Sequence, residues 1–286
     1  MEDLLKRIEE ERAGFSKGKK MIADFILEHY EKAAYMTAQK LSEAVKVSES
    51  TVVRFANELG FAGYPEFQFA LQEIIRNRLT SVQRVEVTNS RIGSSDALKK
   101  VLMADANKIR QTLENTDSAA FYRIVETMVN ANHLYVVGAR SAYMLANFFA
   151  FNMHMVFENV HAIDLSSSGE MFEQMLDIGK GDVLFAISFP RYSTRVIKAV
   201  QYAKDAGSTV ISLTDSADSP IAKLADDYLL ARSDMASFVD SLVAPLSMIN
   251  AIIVTAARSR QTQVTARLHK LESIWDAYEV YDKQKS

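Results

Sequence analysis

The sequence predicts an α/β fold, in which an all-helical amino-terminal domain with a helix-turn-helix precedes a doubly wound, five-stranded parallel sheet with carboxy-terminal helices. Two observations lead to this fold class. Apolar residues recur at helical spacing over the first 80 residues, and short apolar runs alternate with helical patterns from residue 133 onward. We therefore assign a helix-turn-helix domain to 1–80, a linker to 81–96 and a sheet domain to 97–286.

Composition excludes several classes of site. The chain has 286 residues, of which 48% are hydrophobic, and it contains no cysteine, so disulfides, thiolate nucleophiles and Cys-ligated zinc are ruled out. Its five histidines lack metal-ligand spacing, and we expect neither a metal nor another cofactor. No apolar run approaches a membrane span and Met1–Arg7 lacks a signal-peptide pattern, which predicts a cytoplasmic protein without a membrane partner.

Hydroxyl side chains mark the helix starts of the first domain. Ser16, Thr37 and Ser48 each precede an apolar helical pattern and are predicted amino-terminal caps, while Gly60 is the predicted end of the third helix. Pro65 suits the first turn of a fourth helix. The predicted helices run from Ser16 to His29, Thr37 to Val45, Ser48 to Leu59 and Pro65 to Leu79.

The second and third of these helices, joined by a turn of a few residues, form the helix-turn-helix pattern. In such proteins the amino-terminal half of the second helix enters the major groove of DNA. The alternative is a helical bundle whose polar face is merely solvated, and 12 basic against 13 acidic residues up to residue 80 do not favour DNA. The predicted DNA contacts are Lys46, Ser48, Glu49, Ser50, Thr51 and Arg54.

Thr80–Asp96 is polar and lacks sustained helical periodicity, so we interpret it as an irregular linker. Beyond it, five short apolar runs are separated by helical patterns and by turns rich in Gly, Ser, Thr or Asp. The predicted strands are 133–137, 160–165, 183–187, 208–214 and 227–231, and the predicted helices around them are 97–114, 118–130, 142–157, one after Ser166, one after Ser193, one after Pro220, 238–258 and 262–281.

One strand leads into a loop that favours ligand binding. Val183–Ile187 is apolar on both faces, as expected of a central parallel strand, and Pro190 prevents its continuation. Ser188 ends the strand and Ser193 is positioned to cap the next helix, where free N–H groups attract anions. An ordinary strand, turn and helix without a ligand fits this stretch equally well.

The order of elements and several motifs resemble the RpiR-type bacterial transcriptional regulators. The motifs are Ser48–Phe55, Leu59–Tyr64, Ile211–Ser216 and Ser219–Asp226, and the second half of the chain resembles the sugar isomerase (SIS) domain of that family. The resemblance implies a regulator of carbohydrate metabolism that binds operator DNA as a homodimer or homotetramer. It also implies a phosphorylated sugar, or sugar acid, as the effector.

Carried over by position, the resemblance implies ligand contacts from Gly138, Ser141, Ser188, Ser193, and Thr214 or Ser216. Two loops depart from the family pattern. Arg140 and Ala142 replace a common glycine and serine, and the usual Ser-x-Ser-Gly reads Ser-Phe-Pro-Arg-Tyr-Ser over 188–193. Our hypothesis is that Arg140 or Arg191 contacts a phosphate or carboxylate of an unusually acidic ligand. The alternative is that one of them pairs with Asp215 or Asp164.

Two other functions are alternatives to that of a regulator. An SIS-type sugar phosphate isomerase needs a carboxylate base and often a histidine, but no motif contains Glu170, Glu173, His154 or His161. An isomerase also has no use for a helix-turn-helix, so we expect no enzyme activity. A sensor that acts on protein partners through its helical domain remains open, and the salt dependence of DNA binding would distinguish it.

Overall fold

The computed structural model describes residues 4–76, 80–92, 96–165, 167–235 and 239–281. The chain divides into two compact units. The helical unit comprises Met1–Val101 and Met235–Asp240, and the sheet unit comprises Leu102–Asp234 and Ser241–Ser286. The short segment Met235–Asp240 thus joins the helical unit although it follows the last strand of the sheet in sequence.

The helical unit surrounds an aromatic and aliphatic core. The Phe55 ring meets those of Phe15 and Phe67 edge to face, with centroids 5.2 and 5.7 Å away, and Ile22 and Leu41 are fully buried beside them. Its helices are α1 Leu4–Glu11, α2 Lys17–Glu28, α3 Tyr30–Ala33, α4 Ala38–Val45, α5 Glu49–Glu58, α6 Tyr64–Arg76 and α7 Ser81–Ile92, with a 3-10 turn at Arg12–Gly14. The predicted end of the fourth helix, Leu79, lies outside the described residues.

Two of the three predicted amino-terminal caps are confirmed. Thr37 Oγ1 accepts a hydrogen bond from the Lys40 amide at 3.2 Å, and Ser48 Oγ accepts one from the Thr51 amide at 3.3 Å. Ser16 occupies the cap position of α2, but its hydroxyl makes no capping hydrogen bond. Gly60 ends α5 with a φ of +80°, as predicted.

Replacement of Thr37 by alanine is expected to destabilise the helical unit by about 1 kcal/mol, because the first turn of α4 loses its cap. Ser16→Ala is the matched control, since the Ser16 hydroxyl caps nothing, and it should leave stability unchanged. The free energy of unfolding of both variants is measured by urea denaturation. Equal losses in the two variants would contradict this account of the caps.

The irregular conformation predicted for residues 81–96 is wrong over Ser81–Ile92, which form α7. The buried residues of this helix include Arg84 and Thr88, one turn apart. The Arg84 guanidinium forms an ion pair with Asp240 at 2.9 Å, and the Thr88 hydroxyl donates to the Arg84 carbonyl at 2.8 Å. Because these buried side chains are polar, hydrophobic periodicity could not reveal the helix. That residues 81–96 link two domains stays a prediction.

The sheet unit is an open parallel α/β fold, as predicted. Its five strands have the spatial order β2-β1-β3-β4-β5 and all pair in parallel. The strands are β1 Leu134–Gly138, β2 Val160–Ile163, β3 Val183–Ile187, β4 Thr209–Thr214 and β5 Asp227–Leu230. The helices are α8 Ala97–Glu114, within which the division between the units falls, α9 Ser118–Val129, α10 Ser141–Met153, α11 Ser168–Gln174, α12 Thr194–Asp205, α13 Pro220–Leu224, α14 Val243–Ser259 and α15 Gln261–Ala277.

Helices cover both faces of the sheet. On one face Phe185 and Ile187 of β3 pack with α9, α10 and α14, and on the other Leu184 and Ala186 pack with α11, α12 and α13. Every residue of β3 is buried, which explains its continuous apolar sequence. The helices that follow the neighbouring strands β1 and β3 therefore lie on opposite faces.

One helix boundary in the second half of the chain differs from the predictions. The helix predicted from Phe238 begins instead at Val243, because Met235 and Asp240 form an antiparallel bridge ahead of it. Phe238 and the predicted helix start at Ser166 lie outside the described residues. Within the described part of the chain, no helix is both long and apolar enough to cross a membrane.

Candidate functional site

A cavity of about 740 Å³ opens at the carboxyl ends of β1, β2 and β3. The strand order reverses here, because α10 and α12 leave the neighbouring strands β1 and β3 toward opposite faces of the sheet. Open α/β sheets bind ligands in this crevice. The residues that line it are Gly138, Ala139, Arg140, Tyr143, Asp164, Leu165, Arg191, Tyr192, Ser193, Thr194 and Arg195.

Four of the predicted ligand residues lie on this cavity, namely Gly138, Arg140, Arg191 and Ser193. They come from the two loops that leave β1 and β3. The structure brings these two loops to one cavity, as a shared ligand site requires. Ligand contact by these residues stays a prediction.

The other four predicted ligand residues are not among the lining residues. Ser141 is an exposed residue in the first turn of α10, and Ser188 is buried, with its amide donating to the Leu213 carbonyl at 3.2 Å. Thr214 is buried, with its Oγ1 3.2 Å from Asp215 Oδ1, and Ser216 Oγ accepts from the Asp218 amide at 3.1 Å. Thr214 and Ser216 follow β4, which lies one strand beyond the point of reversal.

The amino terminus of α12 borders the cavity. Ser193 occupies the cap position of this helix, but its hydroxyl makes no capping hydrogen bond, contrary to the predicted cap. Ser193, Thr194 and Arg195, at the start of this helix, all line the cavity. A helix amino terminus with unsatisfied N–H groups attracts anions without a metal.

The lining of the cavity is rich in positive charge. Arg140, Arg191 and Arg195 line it, against one carboxylate, that of Asp164. Arg195 is oriented by a hydrogen bond from its guanidinium to the Leu165 carbonyl, just after β2. The excess of cations favours an anionic ligand, and guanidinium groups match phosphate and carboxylate in geometry.

Sequence reasoning missed several lining residues. Thr194 and Arg195 directly follow the predicted Ser193 cap, so their position in a first helical turn could have identified them. Asp164 and Leu165 directly follow the edge strand β2, whose loop carries no motif. Tyr192, another missed residue, donates its hydroxyl to Asp215 at 2.9 Å, and this contact joins the loops after β3 and β4.

Arg140 has an unusual backbone conformation. Its φ of 56° and ψ of −124° correspond to the second residue of a type II′ turn, a position dominated by glycine. The Ala142 amide donates to the Ala139 carbonyl at 3.1 Å and closes this turn. A side chain in such a sparsely populated region costs about 1–3 kcal/mol. The strained residue is thus one of those that line the cavity.

Gly138 sets the close approach of β1 to α10. A Cβ atom at this position would lie 2.4 Å from the Ala142 carbonyl oxygen and 3.2 Å from the Ala146 Cβ. Any side chain would therefore collide with the backbone of the first turn of α10. The absence of a side chain here lets the strand, the turn and the helix form one wall of the cavity.

The candidate acid and base residues of an isomerase do not line the cavity. Among the described residues that line it, Glu170, Glu173, His154 and His161 are all absent. The His161 ring stacks on Tyr135 with centroids 4.9 Å apart, and burial, with the neighbouring histidines, lowers its pKa. The Glu170 amide donates to Ser167 Oγ at 3.2 Å in the first turn of α11, a capping arrangement.

In the helical unit, α4 and α5 form the predicted helix-turn-helix. Lys46, in the left-handed conformation, ends α4, and Ser48 caps α5. Val52, Ala56 and Leu59 are fully buried in the core of the helical unit. The predicted DNA contacts Lys46, Ser48, Glu49, Ser50 and Arg54 are exposed, and Thr51 is half-buried.

The exposed start of α5 is ordered by its own hydroxyl groups. Ser48 Oγ lies 2.9 Å from Ser50 Oγ and 2.8 Å from Thr51 Oγ1, and the Arg54 guanidinium donates to Thr51 Oγ1 at 3.4 Å. This arrangement holds polar side chains on the face that a groove-binding helix presents. DNA contact by these residues stays a prediction.

Known proteins resemble the chain in both halves. Residues 2–78 match the model of the rpiR-family helix-turn-helix domain, and residues 127–255 match that of the SIS domain. An uncharacterised HTH-type transcriptional regulator of Caldanaerobacter subterraneus subsp. tengcongensis is 25% identical over 282 residues, which cover 96% of this chain and 97% of that protein.

Two solved structures show the same fold. The NanR protein of Vibrio vulnificus, in complex with ManNAc-6P, matches with a TM-score of 0.59 at 21% identity, over 96% of this chain and 98% of that one. The sugar isomerase domain of an RpiR transcription factor from Sphaerobacter thermophilus matches with a TM-score of 0.58 at 24% identity, over 61% of this chain and 97% of that one. With both domains matched in this order, the chain belongs to the RpiR family of transcriptional regulators that carry an SIS domain.

Proposed function

We propose that this regulator binds operator DNA through α5 and that a phosphorylated sugar in the cavity of the sheet unit controls that binding. The proposed sugar phosphate site rests on one observation, the cavity. It is lined by the start of α12 and by three arginines, at the point where the strand order reverses. The DNA half is supported by the exposed polar start of α5. ManNAc-6P bound to the similar Vibrio protein supports this class of ligand.

We further propose that the regulator acts as a homodimer or homotetramer. The outer face of α10 exposes Met144, Phe148 and Phe151, the last at 76%, whereas Met153 of the same helix is buried in the core. Apolar side chains exposed together on one helix favour a subunit interface. Ligand binding that changes how the subunits pack would change the distance between their two α5 helices. Operator half-sites lie about 34 Å apart, so a changed distance would alter the affinity for DNA.

The ligand half is tested by a thermal-shift screen against phosphorylated sugars and sugar acids, ManNAc-6P included. A ligand that binds only the folded state raises the melting temperature. Any hit is then added to a binding titration with a DNA duplex selected by the protein from a random library. We expect the affinity for the duplex to change by about 5- to 150-fold, and the duplex to change ligand affinity by the same factor.

Two results would redirect the proposal. Conversion of the hit to an isomer on incubation would favour the isomerase function. DNA affinity that does not vary with salt would favour a protein partner, because phosphate contacts release counterions and make binding weaken steeply as salt rises. Absence of any hit would contradict control by a phosphorylated sugar.

A further inference from the structure

Arg140 combines a strained backbone with a charged side chain at the cavity. Its dihedral angles suit glycine, yet the position holds an arginine, and this exposed residue is one of those that line the cavity. Within the described part of the chain, no hydrogen bond or ion pair ties the Arg140 guanidinium to a protein group. Strain that persists at a ligand cavity points to a role in binding rather than in folding.

The cavity offers anion-binding groups on two separate loops. The loop after β3 provides the start of α12, with Ser193, Thr194 and Arg195, which together suit a phosphate. Arg140 comes from the other loop, after β1. The groups at the start of α12 are sufficient to bind one phosphate. Arg140 adds a cation on the other loop, in a backbone conformation that costs free energy, and this indicates a second anionic group on the ligand.

We propose that Arg140 binds a carboxylate of the effector, so that the preferred ligand is a phosphorylated sugar acid rather than a neutral sugar phosphate. This inference rests on the proposed function, since it assumes that the cavity binds a phosphosugar. A guanidinium donates two parallel hydrogen bonds to a carboxylate, which gives this site both affinity and discrimination.

The test uses ligand pairs that differ in one group. Glucose 6-phosphate and 6-phosphogluconate share the phosphate but carry an aldehyde-level carbon or a carboxylate at C1, and ribose 5-phosphate and 5-phosphoribonate form a shorter pair. Dissociation constants are measured by calorimetry on the full chain. We expect the acid of at least one pair to bind about 10- to 100-fold more tightly, as the added charge-assisted hydrogen bonds predict.

Arg140→Gly should change stability and specificity in opposite directions. Without ligand it should raise the melting temperature by about 2–4 °C, because glycine relieves the backbone strain. It should also lower the affinity for the phosphorylated sugar acid by about 10- to 100-fold, and that for the neutral sugar phosphate by less than about threefold. Lys198→Gln, one turn beyond Arg195 and off the cavity lining, controls for long-range charge and should alter neither property.

Failures of the two proposals are distinguishable. Equal affinity within every pair, or equal weakening of both ligands in Arg140→Gly, would show that Arg140 does not bind a carboxylate while leaving the sugar-phosphate sensor intact. A melting temperature that does not rise in Arg140→Gly would contradict the strain argument. No binding by any member of either pair or of the wider screen would overturn the proposed function and this inference together.

Discussion

Arg54→Glu is expected to weaken binding to the selected DNA duplex by about a hundredfold or more, because in the proposed complex an exposed cation of α5 would become an anion beside the phosphates and base edges. Arg54 lies on the outer face of α5, opposite the buried Val52 and Ala56, and its guanidinium is directed by Thr51. Fluorescence anisotropy at several salt concentrations measures the effect.

Lys32→Glu is the matched control for Arg54→Glu. It makes the same reversal of charge at an exposed residue of α3, a helix that packs against α2, α6 and α7. The control should lose little affinity, and both variants should keep the response to ligand in the sheet unit. Equal DNA affinity of Arg54→Glu and the parent protein would show that α5 does not enter the groove.

Gly138→Ala is expected to destabilise the sheet unit by about 3 kcal/mol, because the new methyl group would meet the Ala142 carbonyl oxygen at 2.4 Å. The obstacle is backbone in the first turn of α10, so the helix must move as a body. That movement would open the contact between Phe149 of α10 and Phe185 of β3, whose ring centroids are 4.8 Å apart. Ligand binding should be lost with the shape of the cavity wall.

Gly14→Ala provides the same chemical change where nothing lies within 4 Å of the added atom. It should leave stability nearly unchanged, while Gly138→Ala should lower the melting temperature by roughly 10 °C in calorimetry. If the Gly138→Ala protein is as stable as the control, α10 moves at little energetic cost, and the cavity wall does not depend on this glycine.

The five strands and the helix-turn-helix could be predicted because each leaves a local signal. A strand such as β3, buried on both faces, is continuously apolar, and Thr37 and Ser48 mark helix starts by their own hydrogen bonds. By contrast, α7 lacks an apolar stripe, since Arg84 and Thr88 occupy its buried side. Its local signal is the capping box at its start, in which the Gln83 amide donates to Thr80 Oγ1 and the Thr80 amide donates to Gln83 Oε1. The ion-pair partner of Arg84, Asp240, is 156 residues away in sequence, so no local window includes it.

The candidate site was predicted in part for a related reason. Position at the carboxyl end of a strand points to Arg140, Arg191 and Ser193, which the structure places on the cavity. The same criterion does not separate Thr214 from Asp164, because β4 lies beside β3 as β2 lies beside β1, yet Asp164 lines the cavity and Thr214 does not. Strand order is a property of the whole sheet, and a single loop does not encode it.

The segment Met235–Asp240 limits how the helical unit could be exchanged between proteins by recombination. Met235 packs in the core of the helical unit and Asp240 neutralises the buried Arg84, so the unit draws on two stretches of chain. A recombination that moved only residues 1–101 onto another SIS domain would separate the buried Arg84 from the Asp240 carboxylate, and loss of one partner of a buried ion pair costs about 3–5 kcal/mol. Exchange of the whole helical unit therefore has to include both stretches of chain.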